Sequence, residues 1–228
     1  MSSPPSPPPP PFPRVPGPAL APFTPTAYAD VDFLKSLGHS NDQDSYVWKV
    51  KTHNKIYALK MFSFVQWEYL KGAPGRYLTR PLANPQFYID YFDPFNCECR
   101  VYGRLKQECR EDLAVRAHGY LLLSPQQEAE VTRRVTGQHC DQFSKPDAEL
   151  DGRNIWGRYE QHRGKPIRAI IKDFASGICF APEQIAQMWD DLEALHALGI
   201  LVRDIHVDYA AFAATFSTGR PKRYGEDD

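Results

Sequence analysis

Four charged residues, at three places in the chain, interrupt or end apolar runs, and each is of a type that carries chemistry. Lys60 closes the strand-like run "YALK", the odd residue near the end of an otherwise apolar, aromatic stretch. Glu98 lies in "PFNCECRVYGRLKQECRED", where Glu98, Tyr102, Leu105 and Cys109 recur at helical spacing and so share one face. A carboxylate therefore belongs to the inward stripe of that helix. Arg203 and Asp204 follow the apolar piece "GILV", which is where a phosphotransferase places its base.

The elements that must position these residues can be read from periodicity and turn signals. "SYVWKVKTHNKIYALKMF" is two strands around a short polar turn, a β-hairpin that carries Lys60 on its second strand. Residues 63–94 hold scattered aromatics and prolines and read as loop. "AVRAHGYLLLS" is a further strand and turn, and "PIRAIIKDF" is a buried strand ending at Lys172 and Asp173. Pro182 opens a helix with Ile185, Met188, Trp189, Leu192 and Leu195 on one stripe, stopped by Gly199. Gly103 weakens the helix that carries Glu98 by about 1 kcal/mol of propensity. Strands, a helix, strands and a helix in that order give an α+β arrangement.

The chain has 228 residues, enough for one domain with a tail. Residues 1–26 hold 12 of its 21 prolines and form a polyproline-biased, disordered tail. Its proline run at residues 7–11, with Pro7 and Pro11 at the ends, suits the aromatic groove of an SH3, WW or profilin-like reader. The domain proper is expected over residues 27–210. A polar surface insertion lies at about 125–165, with a short helix at 126–135, and residues 211–228 make an atypical tail.

A formal net charge of −1 gives no global field for nucleic acid or anionic membrane, so no direct nucleic-acid contact is expected. No apolar run reaches the roughly 18 to 20 residues that span a bilayer, so the chain reads as soluble. Five cysteines form an odd set with no secretory leader ahead of them, which points to cytosol or nucleus. Cys97 and Cys99 make a C-x-C pair without a second pair at zinc-ligand spacing, so no metal site is assigned.

A strand lysine, an inward glutamate on the next helix and the "GILVRD" element resemble a protein kinase scaffold. The set "ECRVYGRLK", "WGRYEQHRGKPIRAIIKDF" and "LHALGILVRDIHVD" more closely resembles the fungal kinetochore family Fta-two, a subunit of the Sim complex at the inner centromere. The resemblance implies an antiparallel N-lobe sheet with a C-helix and a truncated helical C-lobe. It also implies kinetochore protein partners, a role in chromosome segregation and a nuclear location.

Under the kinase resemblance, Lys60 and Glu98 become a vestigial nucleotide-phosphate pair, Asp204 a vestigial base and Arg203 the anchor of its loop. Phosphoryl transfer is mostly positioning and charge stabilisation, so it depends on metal ligands as well. Tyr209 stands where a kinase supplies a metal-binding Asn, and His206 where a Lys is usual. The nearest echo of Asp-Phe-Gly is Thr215 to Ser217, with Thr in the Asp place. Gly38 alone represents the glycine loop. Loss of metal stabilisation costs several kcal/mol, so several decades of rate are expected to go. The reading is a catalytically inactive, kinase-like binding and assembly module without cofactor. Two alternatives stay open. One is a kinase using Asp204 with ATP and magnesium, Asp208 or His206 replacing a ligand; the other is an incomplete or degenerate gene product.

Overall fold

The computed structural model describes residues 15–23, 31–37, 45–64, 90–91, 93–136, 155–159, 162–175 and 184–202. Among the described residues five strands form one antiparallel sheet, β1 (Asp32–Ser36), β2 (Ser45–Thr52), β3 (Lys55–Phe62), β4 (Ala117–Leu122) and β5 (Arg168–Asp173). Their spatial order is β1-β2-β3-β5-β4, so β5 lies between β3 and β4. The α-helices among the described residues are α1 (Pro94–Gln107), α2 (Pro125–Thr136) and α3 (Gln184–Ala197). This is an α+β architecture, with α1 inserted in sequence between β3 and β4.

The hairpin forms where the turn signal placed it. Thr52 pairs with Lys55, leaving His53 and Asn54 as a two-residue turn at φ 48° and 62°. Two consecutive positive φ values match the right-handed twist of the strands they join. Alternation then sorts β3 and β5 by face. On one face Ala58 stands opposite Lys172, Lys60 opposite Ile170 and Phe62 opposite Arg168. On the other, Leu59 and Met61 meet Ile171 and Ala169.

Both faces are covered. Against the first pack α1, α3 and a cluster of Phe62, Phe95, Tyr102, Leu105, Ile170 and Leu195. The second face carries Val50, Leu59, Met61, Ile171, Trp156 and Val131 of α2. The polar insertion expected at 125–165 is thus partly a structural layer: Val131 is fully buried and Trp156 donates its indole N–H to Thr132 at 2.7 Å. Ser124 and Gln127 open α2 with reciprocal bonds, Gln127 N–H to the Ser124 hydroxyl and Ser124 N–H to Gln127 Oε1. That capping box satisfies two orphan donors and follows directly from the "SPQQ" sequence.

Helix ends explain two further differences from the sequence reading. The helix bearing Glu98 stops at Gln107, and Cys109 leaves the stripe: it adopts φ 54° and is exposed. Arg110 N–H returns to the Leu105 carbonyl at 2.8 Å and Cys109 N–H to Lys106 at 3.2 Å, a Schellman closure with a left-handed cysteine. Gly199, at φ 74°, closes α3 by the same pattern, with Ile200 N–H on the Leu195 carbonyl at 3.0 Å. The stop at Gly199 is as expected, but Trp189 of the predicted inward stripe is 64% exposed. Residues 200–202 carry no strand, unlike the strand-like reading of "GILV".

Residues 15–23 differ most from expectation. Within the stretch read as tail, Leu20 is buried and Pro22 forms a parallel bridge with Tyr120 of the edge strand β4.

Candidate functional site

The charged residues that sequence singled out on the β3–α1 side meet. Lys60 Nζ donates to Glu98 Oε2 at 2.7 Å, with side-chain exposures of 16% and 15%. Alternation brings Lys60 to the helix-bearing face of β3, and the helical stripe turns Glu98 down onto it. A second lysine completes the arrangement. Lys172 of β5, only 1% exposed, donates to Glu98 Oε1. Each carboxylate oxygen therefore serves one ammonium.

Sequence reasoning did not assign Lys172 to the site. The signal in β5 gave its face alone: Arg168, Ile170 and Lys172 alternate onto one side of the strand, where a buried lysine needs an anion. Lys172 lies diagonal to Lys60 across the β3–β5 pair, which is why one glutamate reaches both. Its ammonium also sits 4.9 Å from the centre of the Tyr102 ring. The Tyr102 hydroxyl is buried without a hydrogen-bond partner among the described residues.

Charge and burial set the protonation of this cluster. Burial pushes the Glu98 carboxyl up, but Lys172 and Lys60 outweigh it and hold the group at about 2. Tyr102 is raised well above its ordinary range, first by burial and then by the Glu98 charge. Cys99, fully buried behind the carboxylate, is likewise driven far above the ordinary thiol range by burial and by Glu98. That thiol is inert, and Cys97 two residues away is exposed, so the C-x-C pair divides between core and solvent.

A second ion pair fixes the start of the same helix. Asp93 caps α1 by accepting from Asn96 N–H at 3.1 Å. It also receives both terminal nitrogens of Arg168, at 2.9 and 3.1 Å. Pro94 at the first helical position needs no N–H partner. Arg168 stands opposite Phe62 on β3, so Asp93 and Glu98 clamp α1 across the sheet face at two points.

Chemically, the Glu98 cluster holds two cations on one anion and leaves Lys60 as its partly exposed member. Arg203 and Asp204, assigned as loop anchor and base, lie outside the described residues, as do His206, Asp208, Tyr209 and Gly38. The described chain reaches Val202, immediately before that pair.

Among the described residues no helix is long and apolar enough to cross a membrane. Comparison with curated proteins and with solved structures found no match. A family model described as kinetochore Sim4 complex subunit FTA2 matches residues 8–211. That span covers both lysines, Glu98 and the Arg203–Asp204 pair, and the chain belongs to the FTA2 family of kinetochore Sim4 complex subunits.

Proposed function

We propose that this chain is a kinase-like module without phosphotransferase activity that serves as a protein-binding and assembly subunit of the inner kinetochore. The kinase-like part is carried by one observation, the Lys60–Glu98 pair at 2.7 Å. The lysine sits on the third described strand of an antiparallel sheet and the glutamate on a helix later in the chain, as in kinases. Family membership supplies the rest: a kinetochore subunit role, protein partners in that complex and, through the family alone, a centromeric location in the nucleus. The proline run at residues 7–11 is the proposed contact for an SH3, WW or profilin-like reader.

Three features argue against catalysis. Tyr209 replaces a magnesium ligand, and Thr215 stands in the Asp place of the nearest echo of Asp-Phe-Gly. Lys172 also occupies the second Glu98 oxygen, so the carboxylate that would orient Lys60 is shared between two cations.

The full chain with magnesium-ATP decides the first part. No autophosphorylation and no nucleotide-dependent rise in melting temperature are expected. A working site at 100 times its dissociation constant would add about 2.7 kcal/mol. The intact Lys60–Glu98 pair favours one rival, an active phosphotransferase using Asp204; kinase activity abolished by Lys60→Ala would establish it. A tagged chain with no centromeric focus in dividing cells would overturn the kinetochore part.

A further inference from the structure

Residues 15–23 cross the edge of the sheet like a staple. Leu20 enters the core on the α1 side, with Phe95, Cys99 and Tyr102. Phe23 reaches the opposite side and meets the Tyr57 ring edge-on at 6.0 Å. Between them the backbone pairs with the outer edge of β4: Tyr120 N–H donates to the Ala21 carbonyl at 3.1 Å and Phe23 N–H to the Tyr120 carbonyl at 2.9 Å. Leu20 N–H donates to the Cys99 carbonyl of α1 at 2.9 Å. Pro22, which has no N–H, falls where the ladder asks for none and blunts the outer edge against further pairing.

The domain is shaped to admit this segment. A Cβ at Gly103 would come within 2.6 Å of the Ala19 backbone, and one at Gly119 within 2.6 Å of the Phe23 backbone. Two glycines, one on α1 and one on β4, thus open the recesses into which an extended chain settles. Edge-strand hydrogen bonds with a side-chain pocket beside them are the recognition mode of strand addition. The recognised chemistry is an extended run of small residues with one aliphatic and one aromatic anchor, here "ALAPF".

We propose that residues 15–23 are an intramolecular peptide ligand of this groove, and that their seating holds α1 where Glu98 meets both Lys60 and Lys172. The physical link is short. Leu20 bonds the carbonyl of Cys99, next to Glu98, and packs on the same helical face as Phe95 and Tyr102. Withdrawal of the segment removes that bond and that packing together, and uncovers the Cys99–Gly103 turn of α1, which then rests on the sheet through Asp93, Glu98 and its remaining apolar contacts alone. Anything that draws on the proline-rich stretch ahead of residue 15 acts on this staple.

Two forms of the full chain test it. Leu20→Asp puts a charge into the core pocket and vacates the groove. In the other, a site-specific protease sequence replaces residues 25–29, so the staple is cut after folding. Hydrogen exchange should accelerate at least about tenfold at Tyr120 and along α1 in both, while the β2–β3 hairpin keeps its protection. A labelled peptide of residues 15–23 should bind both forms. It should bind the intact chain about tenfold more weakly or worse, because a tethered segment competes at an effective concentration on the order of 1 mM. Equal peptide binding by intact and cut chains would overturn the proposal, as would unchanged α1 exchange after cutting. Equal acceleration in α1 and the hairpin would reduce the staple to a plain part of the core. Should Leu20→Asp fail to fold, the cut chain decides alone.

Discussion

Lys172 and Glu98 are joined by a hydrogen bond between a strand and a helix, and the lysine is 1% exposed. A cation so deeply placed tolerates its position only while the carboxylate stays with it. Glu98→Ala leaves two lysines without an anion and should cost about 3–5 kcal/mol. Lys172→Met leaves Glu98 paired with Lys60 and removes the costlier desolvated charge, so its effect should stay within about 1–2 kcal/mol. Urea unfolding of both single variants and the double variant checks the order and the coupling. A Lys172→Met cost equal to that of Glu98→Ala would mean that Lys60 does not hold the carboxylate.

Acid should weaken the domain in two steps. His162 stacks on Phe64 with ring centres 4.5 Å apart and accepts from Tyr159 N–H at Nδ1. Burial lowers its pKa from 6.5 to about 4, helped by Lys165 and Arg168. A depressed folded pKa means that the unfolded chain binds the proton first, so this contribution is intact above about 6.5 and fades as pH falls towards 4. Glu98 follows the same sign at lower pH. Its contribution is intact above 4.5 and is lost towards 2, on the order of 3 kcal/mol. Thermal melts from pH 7 to about 2 should show a first loss that His162→Phe abolishes and a second that Glu98→Gln abolishes.

The Asp93–Arg168 pair separates capping from charge. Asp93→Asn keeps a good cap for α1 but removes the anion from a partly buried guanidinium, and should cost about 3 kcal/mol. Asp93→Ala removes the cap as well, adding about 1 kcal/mol. Equal unfolding free energies for the two variants would show that Asn96 N–H draws no stability from the side chain at residue 93.

What the sequence made legible was local or periodic. The His53–Asn54 turn, the strand bearing Lys60, the inward face of Glu98 and the Gly199 stop all follow from spacing within a few residues. The Lys60–Glu98 contact was reachable only through resemblance, because nothing local says which helix crosses which strand. Lys172 escaped for a related reason: alternation gives its face, but its partner depends on β5 lying between β3 and β4. Cys109 was misplaced because its left-handed cap lacks the glycine that usually signals one. Residues 15–23 were hidden by composition, since a proline-rich segment has no periodicity of its own and gains order from an edge supplied by distant residues.

Gly103 offers the sharpest separation of local from tertiary reasoning. In the interior of a helix, glycine to alanine ordinarily stabilises by about 1 kcal/mol, through helix propensity and a less flexible unfolded chain. Here the new methyl would lie 2.6 Å from the Cα, and 2.6 to 2.7 Å from the N and C, of Ala19. Backbone atoms cannot swing aside as the end of a long side chain can, so the segment at residues 15–23 must lift or α1 must shift. Gly103→Ala should therefore destabilise, by about 1–3 kcal/mol as overpacking usually does. In the chain cut after residue 23 and freed of its staple, the same substitution should stabilise by about 1 kcal/mol. Unfolding free energies of the four chains measure this reversal of sign, and stabilisation by Gly103→Ala in the intact chain would show that Ala19 does not rest on the helix.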